Sequence, residues 1–201
     1  MKKLIFTCAA ALFLSAVTPA AAAASLSHTV AKGDTMWKLA VKYQTGTSEI
    51  IAANPQVANP NLIYPGQVLT IPQQDTTVSS RESEVIRLVN EIRVKNGLNP
   101  LRANWELSRV ARYKSQDMAD NRYFSHTSPT YGSPFQMINA FGLSFQTAGE
   151  NIAYGQASAQ AVVDSWMNSS GHRANILNAS YTQIGVGYAA NGRYWTQMFI
   201  G

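Results

Sequence analysis

Cysteine is nearly absent. Cys8 is the only one in 201 residues, and it stands inside the apolar stretch near the amino end. Residues 25–201 therefore offer no disulfide, no thiol nucleophile and no thiolate metal ligand. Small secreted domains commonly lean on disulfides, so core burial has to hold this chain together. Long apolar runs are also scarce. The stretch 4–17 is shorter and richer in alanine than the roughly 20 apolar residues a membrane span needs, which argues against a stable membrane anchor. Charge is sparse too, at 13% of residues with a net +5. Two of those positive charges are Lys2 and Lys3 at the amino end, which leaves +3 for the remainder. The basic residues are scattered, so no nucleic-acid stripe is present. A weak attraction to an anionic wall or membrane surface is what such a balance supports.

Residues 1–24 read as a secretory signal peptide: Lys2 and Lys3 form the positive region, 4–17 the apolar region, and Ala20 to Ala24 the small residues before cleavage. A lipid on Cys8 does not fit, because the apolar region runs on past it. This places the protein outside the cell. The rest divides in two. Residues 27–72 form a first module, 73–80 a polar linker without apolar periodicity, and 81–201 a block large enough for one domain core.

In the first module, His28-Thr29-Val30 predicts a strand. Asp34 or Thr35 caps a helix over 36–43, and Thr47 or Ser48 caps a second one that ends at Asn54-Pro55. Residues 67–72 predict the closing strand. The run His28-Thr29-Val30, Gly33-Asp34-Thr35, Asn54-Pro55 and Leu62 to Pro72, in that order, resembles the LysM family. The resemblance implies a β-α-α-β fold that binds chains of N-acetylglucosamine, as in peptidoglycan or chitin. The glycan-binding candidates are Gly33, Asp34, Thr35, Met36, Asn54, Pro55, Leu62, Ile63 and Tyr64, on two loops that lie side by side if the strands pair. Ile63 and Tyr64 are suited to cover a sugar face or an acetyl methyl. Gly33, Asp34 and Thr35 equally suit plain turn and cap geometry.

In the second block, Val85, Leu88, Val89 and Ile92 recur at helical spacing over 82–95, and Asn96-Gly97 stops that helix. Further helices are expected from about Asn104, from Ser133-Pro134, and over 157–168, where Trp166 should pack onto a sheet. Residues 184–189 and 194–200 alternate as strands around the hairpin signal Asn191-Gly192. The class is α+β, with helices on a small antiparallel sheet. Three polar groups stand out: Phe124-Ser125-His126, Gly149-Glu150-Asn151-Ile152, and Gly171-His172-Arg173-Ala174-Asn175-Ile176-Leu177. Together with Trp166 and Ile184-Gly185-Val186-Gly187-Tyr188, they resemble the cysteine-free bacterial branch of the CAP superfamily of cysteine-rich secretory, antigen 5 and pathogenesis-related-1 proteins.

That resemblance implies an α-β-α sandwich with an open cleft. His126 and His172 match the histidines that bind a divalent metal such as zinc in several members. Glu150 matches the glutamate beside them, with Asn151 next to it. The second glutamate of the better-known pattern is replaced by Ser169. Glu150 is the one candidate for a catalytic base, acting on a metal-bound water. Two histidines are fewer than the three protein ligands usual for catalytic zinc, and no other hydrolase motif is present. Three functions follow as alternatives: a wall-anchored ligand- or partner-binding protein, a metal-dependent, peptidase-like hydrolase at the wall, and a structural envelope or spore-coat component.

Overall fold

A computed structural model describes residues 25–201. The expected signal peptide, residues 1–24, lies outside the described residues.

The first module runs β1 (Ser25–Thr29), α1 (Met36–Tyr43), α2 (Thr47–Ala52), β2 (Val68–Pro72). β1 and β2 pair antiparallel, from Ser25 opposite Pro72 to Thr29 opposite Val68. Val30, Met36, Leu39, Ala40, Ile50, Leu69 and Ile71 close a small core between the ribbon and the two helices. Thr35 is the cap of α1, its side chain accepting from Lys38 N at 3.1 Å. Neither Thr47 nor Ser48 caps α2. The cap position is Gly46, which makes no side-chain cap bond. A side chain there would run into those of Glu49 and Arg109.

The expected linker is mostly helix. α3 spans Thr76–Lys95, and Asp75 caps it by accepting from Thr77 N at 2.7 Å and Val78 N at 3.3 Å. Its first turn is largely exposed, so no apolar period marks it; the cap, not packing, starts this helix. Only 73–75 connects the modules, and Gln74 within it donates to Glu82 at 2.8 Å.

The second domain continues with β3 (Arg102–Ala103), α4 (Trp105–Asp120), α5 (Pro134–Ala140), β4 (Ala148–Tyr154), α6 (Ala159–Met167), α7 (Ser170–Ile176), β5 (Gln183–Ala189) and β6 (Tyr194–Ile200). The sheet order is β3-β5-β6-β4. It is antiparallel apart from the two-residue parallel pair of β3 and β5. α3, α6 and α7 cover one face around Trp166, Trp195, Phe199 and Ile184. α4 and α5 cover the other around Leu107, Val110, Met137 and Met198. This is the expected α-β-α sandwich. Trp166 is buried as expected, and its indole N–H reaches Ile152 O at 3.3 Å. Gly185 and Gly187 explain the Gly-Val-Gly run. A Cβ at either would strike the α4 backbone, at Leu107 and Ala111 respectively, so their absence lets helix and sheet approach closely.

The two domains touch through side chains. Glu49 on α2 accepts from Arg109 Nε at 2.6 Å, Arg109 Nη2 at 2.9 Å and Tyr113 Oη at 3.0 Å, and Ser48 Oγ adds a bond at 2.6 Å. The Arg109 guanidinium also lies 4.9 Å from the Phe141 ring centre. Burial pulls the Glu49 carboxyl upward, but the bonds from Arg109 and Ser48 outweigh it and hold it below its ordinary range. A polar cavity of about 500 Å³ lies beside this clasp, lined among others by Tyr43, Gln73, Gln74, Ser79 and Arg112.

Candidate functional site

The cleft of the second domain forms at the edge strand β4. The Gly-Glu-Asn motif was not legible as a strand, because residues 149–153 are buried on both faces and do not alternate in polarity. An open edge strand invites pairing with another chain. Here side chains occupy it: Asn175 Nδ2 donates to Glu150 O at 3.1 Å, and Trp166 Nε1 takes Ile152 O. This gives Asn175 and Trp166 a role in building the site.

Glu150 sits on β4 with its side chain 2% exposed, while His126, in the loop after α4, is 55% exposed. His126 Nδ1 donates to Glu150 Oε1 at 2.7 Å. Glu150 Oε2 is buried and has no hydrogen-bond partner among the described residues. Burial pushes the Glu150 carboxyl above its ordinary range despite the bond from His126 and the charge of Lys114. Lys114 on α4 is itself buried; its ammonium donates to His126 O at 2.8 Å and Tyr123 Oη at 3.2 Å, fixing the loop that carries His126. Burial lowers the Lys114 pKa, with Glu150 and Asp117 opposing that shift. A lysine on an otherwise apolar helix face is the signal for this residue in the sequence.

His172 lies on α7. Burial lowers its pKa, and the His126 charge adds to the effect. Asn151, wholly buried, donates to His172 O at 3.1 Å and Gln197 Oε1 at 3.0 Å, and Asn175 donates to Asn151 Oδ1 at 2.8 Å. Asn151 thus braces the backbone beneath His172. Ser169 occupies the N-cap position of α7 and makes no side-chain cap bond. Asp164 is exposed and tied to Gln160.

Among the described residues, no group of three or more His, Cys, Asp and Glu is placed to hold a metal ion. The imidazoles suit a divalent ion in kind. Glu150 orients His126 through Nδ1 and leaves Nε2 for a ligand, the arrangement common in metal-binding histidines. In number they supply two protein ligands, short of the usual catalytic set.

In the first module the glycan candidates separate into two groups. Met36 and Asn54 are buried. Asn54 is fully occupied: it donates to Ile50 O and Thr70 O, each at 2.7 Å, and accepts from Thr70 N at 2.8 Å and Gln56 Nε2 at 3.0 Å. Thr35 caps α1, and Ile63 packs on the core. Gly33 has φ of 92°, the left-handed conformation that suits glycine. Asp34 accepts from Ala31 N at 2.8 Å and from His28 Nε2 at 2.9 Å, while His28 Nδ1 contacts Tyr43 Oη at 2.9 Å. The side chains that face outward are Leu62 and Tyr64; Pro55 is exposed as well. Ser48 and Glu49 of α2 carry the hydrogen bonds to the second domain.

The Cysteine-rich secretory protein family matches residues 86–199, and the LysM domain matches residues 28–72. YkwD of Bacillus subtilis, an uncharacterized protein, is 50% identical over 155 residues, covering 77% of this chain and 60% of that protein. LytE of Bacillus subtilis, described as a probable peptidoglycan endopeptidase, is 40% identical over 77 residues, 38% of this chain and 22% of that one. A Bacillus anthracis extracellular protein containing an SCP domain superposes with a TM-score of 0.60 at 35% identity, over 68% of this chain and 47% of that one. The chain thus spans less than two thirds of the length of each of these relatives. It belongs to the cysteine-rich secretory protein, or CAP, family, with a LysM domain ahead of its CAP domain.

Proposed function

We propose that this is a secreted cell-wall protein in which the LysM domain holds N-acetylglucosamine-containing glycan of peptidoglycan and the CAP domain serves as a ligand-binding head. The observation that carries the reading is the half-exposed pair Leu62 and Tyr64 on a loop whose interior partners, Asn54 and Ile63, are locked in place. Apolar groups presented on a rigid loop suit the face of a sugar ring and its acetyl methyl. Kinship with LytE, whose description names peptidoglycan, supports the choice of glycan.

In the head, His126 Nε2 and the imidazole of His172 would hold a divalent cation such as Zn²⁺. When bound, such an ion acts as a Lewis acid toward an oxygen ligand. Two histidines favour binding over hydrolysis, because a catalytic zinc commonly rests on three protein ligands. Soluble N-acetylglucosamine oligomers should release the protein from purified peptidoglycan. If a saturating oligomer leaves all the protein on the wall, the proposed glycan-binding role of the LysM domain fails.

A further inference from the structure

The cavity beside the interdomain clasp, about 500 Å³, falls within the size range of small-ligand sites. Tyr43 and Thr45 of the LysM domain, Gln73 and Gln74 of the connection, and Ser79 and Arg112 of the CAP domain line it. Its two guanidinium groups are unequally satisfied. Arg109 is neutralised by Glu49, whose two oxygens it meets through Nε and Nη2. Arg112 engages only Nε, with Glu82 Oε2 at 3.1 Å. Among the described residues its Nη1 and Nη2 have no hydrogen-bond partner, although the side chain is only 23% exposed. Paired guanidinium N–H donors suit a group that offers two oxygens.

The one partner that Arg112 has is shared. Glu82, with its side chain 5% exposed, also accepts from Gln74 Nε2 at 2.8 Å on Oε2 and from the Tyr188 N–H at 3.1 Å on Oε1. Arg112 is thus the charged group that α4 turns toward it, while the connection brings Gln74 and β5 brings a backbone N–H. Arg81, its neighbour on α3, turns instead to Ala157 O and the Tyr188 ring. Burial pushes the Glu82 carboxyl up to about 7. At pH 6 most of it is protonated, and the Arg112 charge then stands without a counter-ion. One uncompensated positive charge matches a monoanion, whereas a phosphate monoester brings nearly two negative charges. The amides of Gln73 and Gln74 on the same wall suit the peptide group beside a chain-terminal carboxylate.

We propose that this cavity between the domains binds the terminal carboxylate of a peptide, received by Arg112 Nη1 and Nη2. The proposal is independent of the glycan reading, since no sugar enters it. The test is NMR shift titration of residues 25–201 with N-acetyl-alanyl-alanine, its carboxamide-ended form and dimethyl phosphate. It is run at pH 6 and pH 8 on the parent, Arg112→Gln and Glu82→Gln, each shown to be folded by a cooperative melt. The parent should bind the acid about tenfold more tightly at pH 6 than at pH 8, because the state with Glu82 protonated is the one that leaves Arg112 free. Glu82→Gln should bind at pH 8 as tightly as the parent does at pH 6. Arg112→Gln should bind at least tenfold more weakly than the parent at pH 6. The carboxamide should not bind the parent, a result that tests the role of the charge even if Arg112→Gln fails to fold. Acid and carboxamide bound alike, Arg112→Gln binding as the parent does, or equal affinity of the parent at the two pH values overturns the proposal. So does a folded parent that leaves the acid unbound, or one that prefers dimethyl phosphate to it.

Discussion

Breaking the clasp between the domains should loosen one domain from the other without unfolding either. The Glu49 and Arg109 side chains are 25% and 17% exposed, so their bidentate pair is partly shielded from water. Hydrogen bonds to charged groups contribute about 1.5–3 kcal/mol each when well buried, while exposed ion pairs contribute about 0–1 kcal/mol. This pair lies between those limits. Discounted for its exposure, its coupling energy should be about 1–2 kcal/mol. Arg109→Ala alone should cost more than Glu49→Gln, because it also removes the guanidinium from the Phe141 and Tyr113 rings. The assay is a double-mutant cycle of Glu49→Ala and Arg109→Ala by urea unfolding of residues 25–201, with small-angle scattering on each variant. Docking to the larger domain should raise the LysM unfolding midpoint, and loss of the clasp should lower it and expand the scattering profile. A coupling within about 0.3 kcal/mol of zero, with an unchanged profile, would refute the clasp.

Trp166→Ala should destabilise the CAP domain by about 3–5 kcal/mol, the usual cost of truncating a buried Trp; an unchanged unfolding midpoint would contradict the packing of α6 onto the sheet. Burial pushes the Glu82 carboxyl up to about 7, with Arg112 only partly offsetting it. The folded state then holds this proton more tightly than the unfolded chain, so its contribution makes stability fall as pH rises from about 4.5 to 7, by roughly 3 kcal/mol in all. Glu82→Gln should remove that slope in urea melts at pH 5 and 8, and an unaltered slope would count against it. Zn²⁺ titrated into the protein should bind through both imidazoles, with His126→Ala and His172→Ala each weakening it at least tenfold; parent-like affinity in either variant would dispose of the metal site. Asn54→Ala removes four hydrogen bonds in the LysM interior and should cost about 2–3 kcal/mol, read as a lower LysM melting temperature.

Motifs with strong local chemistry were legible in the sequence. Asn104 and Ser133 cap their helices, Asn191-Gly192 turns the β5–β6 hairpin, and Trp166 reaches the sheet. The pairing of His126 with Glu150 followed from family resemblance, since the 24 residues between them carry no spacing rule. Three features escaped for physical reasons. β4 is buried on both faces, which erases its alternation. The first turn of α3 is exposed, so only Asp75 announces it. The Glu49–Arg109 clasp joins residues 60 apart, and nothing local to either foretells the other. Among the glycan candidates, sequence order alone did not separate Asn54, whose side chain is consumed inside the fold, from Tyr64, which faces out.

The central claim is that Leu62 and Tyr64 anchor the protein on wall glycan. Residues 25–201 should be sedimented with purified insoluble peptidoglycan alongside the Leu62→Ala/Tyr64→Ala variant. The account predicts that the parent pellets and that the folded variant stays largely in solution. A parent that stays in solution, or a variant that pellets as fully as the parent, would contradict it.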